Sequence, residues 1–447
     1  MVRLKMAKKK QIELTIEEKL QNALVPKEEQ PYKIPSNWCW TYIHNIAIVV
    51  TGKTPSKKNK EYYGGKFPFF KPADLDAGRN MQYATEYLSE KGKSISVIIP
   101  EKATGICCIG TIGKCGYFLV EGTTNQQINT VISKINPLYS YYFFNTNSFV
   151  RELISKASAT TIAIVNKSKL ESCLFPVAPL NEQQRIVNRI ESLFVKLDRA
   201  KELIENTLAQ FEQNKMAILH KAFTGELTVK WRKENNINEK NFFNKVKLKN
   251  VIKLISGRDV SVSLCNDKSI GIPYILGASN IKDNKFFIER WIENPVVVSE
   301  KNDILLSVKG TIGKLYLQKE EKINISRQIM ALRALNELNT HYLYYFLLRE
   351  CERLKFEGNG LIPGISRKDI LDLNILLPTL EEQQEIVNIL DNLLAKYNKI
   401  KNLEQQLEKI ELLKKAILAK VFRGELGTNN PDEESAENLL KEILAEK

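Results

Sequence analysis

The sequence predicts an α+β protein in which one unit is built twice. Two tandem α+β domains alternate with two long helices that pair as an antiparallel coiled coil, with pseudo-two-fold symmetry. Three observations predict it. First, short motifs recur in order at an offset of 200 or 199 positions. Gly110-Thr111-Ile112-Gly113-Lys114 returns 200 positions later as Gly310-Thr311-Ile312-Gly313-Lys314. Leu180-Asn181-Glu182-Gln183-Gln184 returns as Leu380-Glu381-Glu382-Gln383-Gln384, and Phe223-Thr224-Gly225-Glu226-Leu227 as Phe422-Arg423-Gly424-Glu425-Leu426. Such self-similarity marks duplication, and a period this long lets each copy hold its own core. Second, an apolar seam at 4-3 spacing runs through the segment behind each Glu-Gln-Gln opening. Third, the formal charge of +14 on 447 residues is unevenly placed. Residues 35–180 carry +7 and residues 228–380 carry +8, whereas 181–227 and 381–426 are neutral.

Taken in order, residues 1–34 form a lead-in of charge +3. In it Thr15-Ile16-Glu17-Glu18 is a capping box for a short helix ending before Pro26. The first α+β domain is placed at 35–180. Ser94–Ile99 and Gly105–Val120 carry β-branched and alternating apolar residues broken by Gly, the pattern of short strands and hairpins. Asn136-Pro137 then opens a helix through Tyr141, Phe144 and Leu153. The long helix of 181–227 has its seam at Ile186, Ile190, Leu193, Leu197 and Ile204. Residues 228–244 are polar and read as a linker. The second domain, 245–380, repeats the order, with strands at Asp303–Ser307 and Ile312–Leu317 and a helix near Thr340–Phe356. The second long helix, 381–426, has its seam at Ile386, Leu390, Leu393, Tyr397, Ile400 and Leu407. Neither long segment holds Pro or internal Gly before its Gly225 or Gly424 stop, so each spans about 60 Å at 1.5 Å per residue. The tail, 427–447, reads as a loose acidic helix of charge −4.

Composition excludes several classes. No apolar run reaches the 18 or so residues that cross a bilayer, and no apolar core follows the basic start, so neither a membrane span nor a secretory signal is expected. Seven Cys without a Cys-x-x-Cys argue for a reducing compartment. The three His (His44, His220, His341) are scattered, and Cys107, Cys108 and Cys115 suit a strand core better than a metal, so no metal site is expected. Gly105 and Gly110 have P-loop spacing without the following Lys-Ser/Thr, and no Asn/Asp-Pro-Pro-Tyr/Phe is present. No catalytic residue is assigned.

Two basic blocks suit a polyanion gripped twice. Lys53, Lys57, Lys58 and Lys60 lie in a Gly/Pro/Ser loop beside Tyr62 and Tyr63, a setting for phosphate contacts, and Lys114 and Lys314 of the recurrent motif join them. The motif itself has two readings, a tight strand turn kept for folding and a backbone phosphate contact. Base reading needs forked donors and acceptors. Candidates are Arg79, Asn80, Gln126 and Gln127 in the first copy, and Arg258, Asn280, Arg327 and Gln328 in the second. A different reading also stands, in which the chain is a coiled-coil scaffold whose basic domains bind RNA or an acidic protein.

The helix openings Pro179–Val187 and Pro378–Val387, the Phe-x-Gly-Glu-Leu closures, and the entry segment Tyr32-Lys33-Ile34-Pro35-Ser36-Asn37-Trp38 together resemble the specificity subunit of type I restriction–modification systems. Copy two lacks the Trp at its own entry, where Val246-Lys247-Leu248 stands. The resemblance covers about residues 12 to 428 and implies a non-catalytic, DNA-binding subunit of a host-defence methyltransferase/endonuclease complex. Each domain would be a target-recognition domain reading one half of a split target in double-stranded DNA, with the helices as spacer. Implied partners are two methyltransferase subunits and restriction/translocase subunits, with no membrane and a cytoplasmic setting. No cofactor is implied for this chain; S-adenosylmethionine, ATP and Mg would serve the partners.

Overall fold

The computed structural model describes residues 14–158, 163–237, 244–282, 285–357, 364–398 and 401–446. The chain is mixed α+β, as expected, and packs as two compact units. One comprises Met1–Glu202 with Gln406–Lys447, the other Leu203–Gln405. These packing units cut across the linear segments, because each unit takes the start of one long helix and the end of the other.

In the first unit four antiparallel strands lie in the order Ala47–Thr51, Ile128–Ser133, Thr104–Cys107, Cys115–Tyr117. The period of two divides their side chains between cores. Val49, Ile106 and Val131 enter the main core, while Cys107 and Ile128 join Phe70, Leu75 and Phe118 in a smaller one. A second sheet pairs Tyr63–Phe70 with Glu86–Leu88 and Thr123–Thr124. The strand Cys39–Tyr42 closes the domain by pairing with Leu174–Val177, just ahead of the long helix. The second unit repeats this plan. Ile252–Ser256, Ile329–Ala334, Ile304–Ser307 and Leu315–Leu317 form its four-stranded sheet, and Asn244–Lys247 pairs with Asn374–Leu377. The entry of copy two is thus a strand in the same role, without the Trp.

The helix Leu180–Ala222 is continuous over 43 residues. Its counterpart is described as Leu380–Asn398 and Lys401–Val421. Ile400 of the expected seam, and the side chain of Tyr397, lie outside the described residues. The pairing is antiparallel. In the first unit Lys414 Nζ is 2.5 Å from Asp198 Oδ1 while Lys201 Nζ is 3.2 Å from Glu411 Oε1, so one helix descends as the other ascends. In the second unit Leu219, Ala222 and Phe223 at the end of the first helix share a core with Ile386, Val387 and Leu390 at the start of the second. The seam is not uniform. Ile186, Ile190, Ile386 and Leu390 are 0–1% exposed within domain cores. Leu193, Leu197, Ile204, Leu393 and Leu407 are half-buried.

The recurrent motifs turn out to build the same junction twice, each time from the opening of one helix and the closure of the other. Gln183 is fully buried; its Nε2 donates to Ala178 O (2.8 Å) and its Oε1 accepts from Asn136 N (3.0 Å). Gln184 Oε1 accepts from Asn136 Nδ2, and Asn136 in turn caps the helix Pro137–Phe144. Gln383, Gln384 and Asn339 repeat these bonds in the second unit. Glu182, also fully buried, accepts from Trp38 Nε1 (2.8 Å), Asn429 Nδ2 (2.9 Å) and Thr428 Oγ1 (3.3 Å). Its counterpart Glu382 accepts from Thr228 Oγ1 and from Arg232 (2.7 Å), so a buried arginine stands where copy one uses a tryptophan. Phe422 of one closure packs 5.0 Å from Tyr139, and Phe223 of the other 4.9 Å from Tyr342. Gly225 and Gly424 end the helices at φ +81° and +72°, where a Cβ is disfavoured. At Gly424 a Cβ would also fall 2.3 Å from Pro35.

Four expectations need correction. Ser94–Ile99 is not a strand: Ser89 caps a helix at Glu90–Ser94, and of the residues that follow, Ile99 alone pairs, in a single bridge to Gly122. The single helix expected from Asn136 is two, Pro137–Phe144 and Asn147–Ser155, because Thr146 Oγ1 accepts from Phe149 N and starts a new one. The stretch after Leu227 is not merely a polar linker, since the helix Val229–Glu234 buries Arg232; residues 238–243 lie outside the described set. The tail is not loose. Ala436, Leu440, Ile443 and Leu444 of the helix Ala436–Ala445 join the main core of the first unit, and Arg185 clamps Glu433 through two hydrogen bonds. The expected capping box at Thr15 and Glu18 is present, on the helix Ile16–Ala23.

Candidate nucleic-acid interface

Three loops leave the same end of the four-stranded sheet in each unit. In the first unit they follow Thr51, precede Ile128 and link Cys107 to Cys115. Backbone bonds fix them together: Gly52 N donates to Ile128 O (3.2 Å), Cys108 N to Gln127 O (2.8 Å) and Gly113 N to Cys107 O (2.9 Å). The second unit has the same three bonds: Gly257 N to Ile329 O (3.1 Å), Val308 N to Gln328 O (2.8 Å) and Gly313 N to Ser307 O (2.9 Å). Gly52 therefore corresponds to Gly257, Gln126 to Arg327 and Gln127 to Gln328.

The recurrent Gly-Thr-Ile-Gly-Lys segment is the connection between the two hairpin strands. Gly110, Gly113, Gly310 and Gly313 all have positive φ, from +70° to +88°, and a Cβ on Gly113 would fall 2.9 Å from Val150. Its recurrence has a folding reason in both copies. Thr111 and Thr311 are exposed at the crest.

Lys53, Lys57, Lys58 and Lys60 are exposed on the first loop, and none is in ion-pair range of a carboxylate among the described residues. Tyr63 holds that loop by donating to Pro55 O (2.6 Å). Lys114 pairs with Asp76 (2.7 Å), whereas Lys314 is exposed. Gln126 is exposed and its Oε1 accepts from Thr54 Oγ1 (2.5 Å); Gln127 Oε1 accepts from Asn125 Nδ2 (2.9 Å). In the second unit Arg258, Arg327 and Gln328 are exposed, and Arg327 Nε lies 2.7 Å from Asp259 Oδ2.

The remaining candidates sit elsewhere or are occupied. Arg79 pairs with Glu191 of the long helix (2.6 Å), which also accepts from the Tyr142 hydroxyl; burial and this carboxylate hold that phenol protonated. Asn80, next to it, is exposed. Asn280 is 1% exposed: its Oδ1 accepts from Leu276 N and Gly277 N, and its Nδ2 donates to Phe287 O. Its polar atoms shape its own turn. Thr54, Asp259 and Asp76 were not singled out in the sequence. Gly52 and Gly257 stand at the same place, each followed by a cation, Lys53 or Arg258, and the next residue along is Thr54 in one copy and Asp259 in the other.

Cys108 is buried, and burial pushes its thiol up to about 11; it drives Cys115 upward as well, so both are protonated core residues. Among the described residues no group of His, Cys, Asp or Glu is placed to hold a metal, and no helix is long and apolar enough to cross a membrane.

Two α+β heads with matching loop clusters, each carrying exposed cations, and paired long helices define a duplicated α+β protein. Sequence comparison gives the particular family. The profile of the type I restriction modification DNA specificity domain matches residues 35–212 and again 241–412. The chain belongs to this family: it is a DNA specificity subunit of a type I restriction–modification system, a non-catalytic part of that enzyme. It is similar to the EcoKI specificity subunit of Escherichia coli K12, 26% identical over 454 residues, covering 93% of this chain and 96% of that one. The MjaIX specificity subunit of Methanocaldococcus jannaschii is 25% identical over 453 residues, covering 90% and 96%. The HsdS subunit of Thermoanaerobacter tengcongensis shares the fold, with a TM-score of 0.54 at 21% identity over 89% of this chain and all of that one. A chain solved in work on assembly and conformational transition of the type I system gives 0.73, with the same identity and coverage.

Proposed function

We propose that each unit reads one half of a bipartite target in double-stranded DNA, and that the long helices set the gap between the halves. The observation that carries this is the congruence of the two loop clusters: the same three loops, held by the same backbone bonds, present Lys53, Gln126 and Gln127 in one unit and Arg258, Arg327 and Gln328 in the other. Exposed lysines at the rim, Lys57, Lys58, Lys60 and Lys314, with Lys114 once it exchanges Asp76 for phosphate, hold the backbone. Arg79, Asn80 and Asn280 are left out of the base-reading set, because they are paired, peripheral or buried.

Two methyltransferase subunits dock on this scaffold, and restriction/translocase subunits join them. The paired helices leave apolar surface for a protein partner: Val195, Leu412 and Leu413 are 65%, 64% and 50% exposed. S-adenosylmethionine, ATP and Mg serve those partners, in the cytoplasm with the host DNA. Co-expression with an adenine methyltransferase of such a system, followed by purification and sequencing of modified bases in host DNA, tests the reading. The expected result is a stable complex and adenine methylation at a motif of two halves around a fixed gap. Purification with RNA or an acidic protein instead, without bipartite methylation, would overturn it.

A further inference from the structure

We infer that Gln126 and Arg327, at the same place in the two heads, are specificity-determining residues that select different bases: adenine in the half-site of the first unit and guanine in that of the second. This rests on the reading that each unit contacts one half-site. The neighbouring Gln127 and Gln328 are the same residue at the same point, so they cannot make the heads differ; the adjacent position can.

Each of the two is exposed and braced by the residue that follows the loop cation. In the second unit that residue is Asp259. Its Oδ1 accepts from the backbone N–H of Arg327 (3.1 Å) and its Oδ2 lies 2.7 Å from Arg327 Nε. The carboxylate therefore grips the stem side of the guanidinium. The Arg327 side chain remains 68% exposed to a ligand. A planar fork of two donors matches guanine O6 and N7. Bracing also removes rotamer freedom before binding, which lowers the entropy lost on contact. In the first unit the equivalent of Asp259 is Thr54, whose hydroxyl donates to Gln126 Oε1 (2.5 Å). The Nε2 donors and a second lone pair on Oε1 stay available, the donor–acceptor pair that adenine N7 and N6 require. Thr54 and Asp259 are thus positioning residues, matched to the side chain each one holds.

The test uses the subunit assembled with its methyltransferase partners, on duplexes that carry every single-base-pair change of the mapped target. The wild-type profile comes first; if it shows no second half-site, the reading beneath this inference fails and the inference with it. Given two half-sites, Arg327→Ala is expected to cut discrimination about 5- to 150-fold at one G·C pair of the second half-site, leaving the first unchanged. Gln126→Ala does the same at one A·T pair of the first. Asp259→Asn reduces discrimination at the Arg327 position while leaving the salt dependence of binding as in wild type, because the arginine charge stays. Uniform weakening across all duplexes, with the salt slope reduced by about one, would make Arg327 a phosphate contact and overturn the assignment. So would an unchanged profile, or relaxation at a pair that is not G·C.

Discussion

Arg232→Met is expected to destabilise the second unit by about 3–5 kcal/mol, the largest single-residue effect on folding anticipated for this chain. Glu382 is fully buried and Arg232 is 4% exposed, with N to O at 2.7 Å. Methionine keeps most of the volume and removes the cation, so the carboxylate retains only the Thr228 hydroxyl in a medium of low polarity. Arg232 also donates to Gly225 O (2.6 Å), so the helix stop loses a bond at the same time. At about 2–4 °C per kcal/mol for a unit of this size, its unfolding midpoint should fall by roughly 6–20 °C. Calorimetry that resolves the two units checks this. The double variant Arg232→Met, Glu382→Gln should recover most of the loss, since an apolar or neutral pair tolerates burial far better than one orphaned charge. A shift under 2 °C in the single variant would show that the pair is not a keystone of the unit.

Replacing Lys53, Lys57, Lys58 and Lys60 together by Ala is expected to change DNA affinity strongly and specificity hardly at all. All four are exposed, so folding stability should move by no more than about 0.5 kcal/mol. If each neutralises one phosphate, the slope of log affinity against log salt becomes shallower by about 3.6. Between 50 and 200 mM salt that is about a 150-fold smaller loss of affinity, read in a salt titration on target and random duplexes. The ratio between those duplexes should hold, because phosphate contacts position the protein without reading sequence. An unchanged slope would remove this loop from the interface.

The duplication, the long helices and the order of elements within each copy were legible in the sequence, because motifs of five residues and a seam of several heptads are local patterns. What the motifs do was not. Glu182 meets Asn429 across 247 positions, and Phe422 meets Tyr139, contacts that no spacing rule reveals. The tail reads as loose because six acidic residues mask Leu440, Ile443 and Leu444, which lie on one helical face. Ser94–Ile99 reads as a strand because its isoleucines and valine favour strands, while Ser89 and Glu90 just ahead start a helix instead. Of the candidate site, Lys53 gathers with Gln126 and Gln127 in the first unit, and Arg258 gathers with Arg327 and Gln328 in the second. Arg79 and Asn280 resembled them in type alone, and only burial and partners separate a forked side chain that faces solvent from one that shapes a turn.

That each unit reads its own half-site is tested most directly by exchange of residues 40–180 for the corresponding segment of a relative with a different target, followed by methylome sequencing. One half of the methylated motif should change to that of the donor, with the other half and the gap intact. Change in both halves would contradict it.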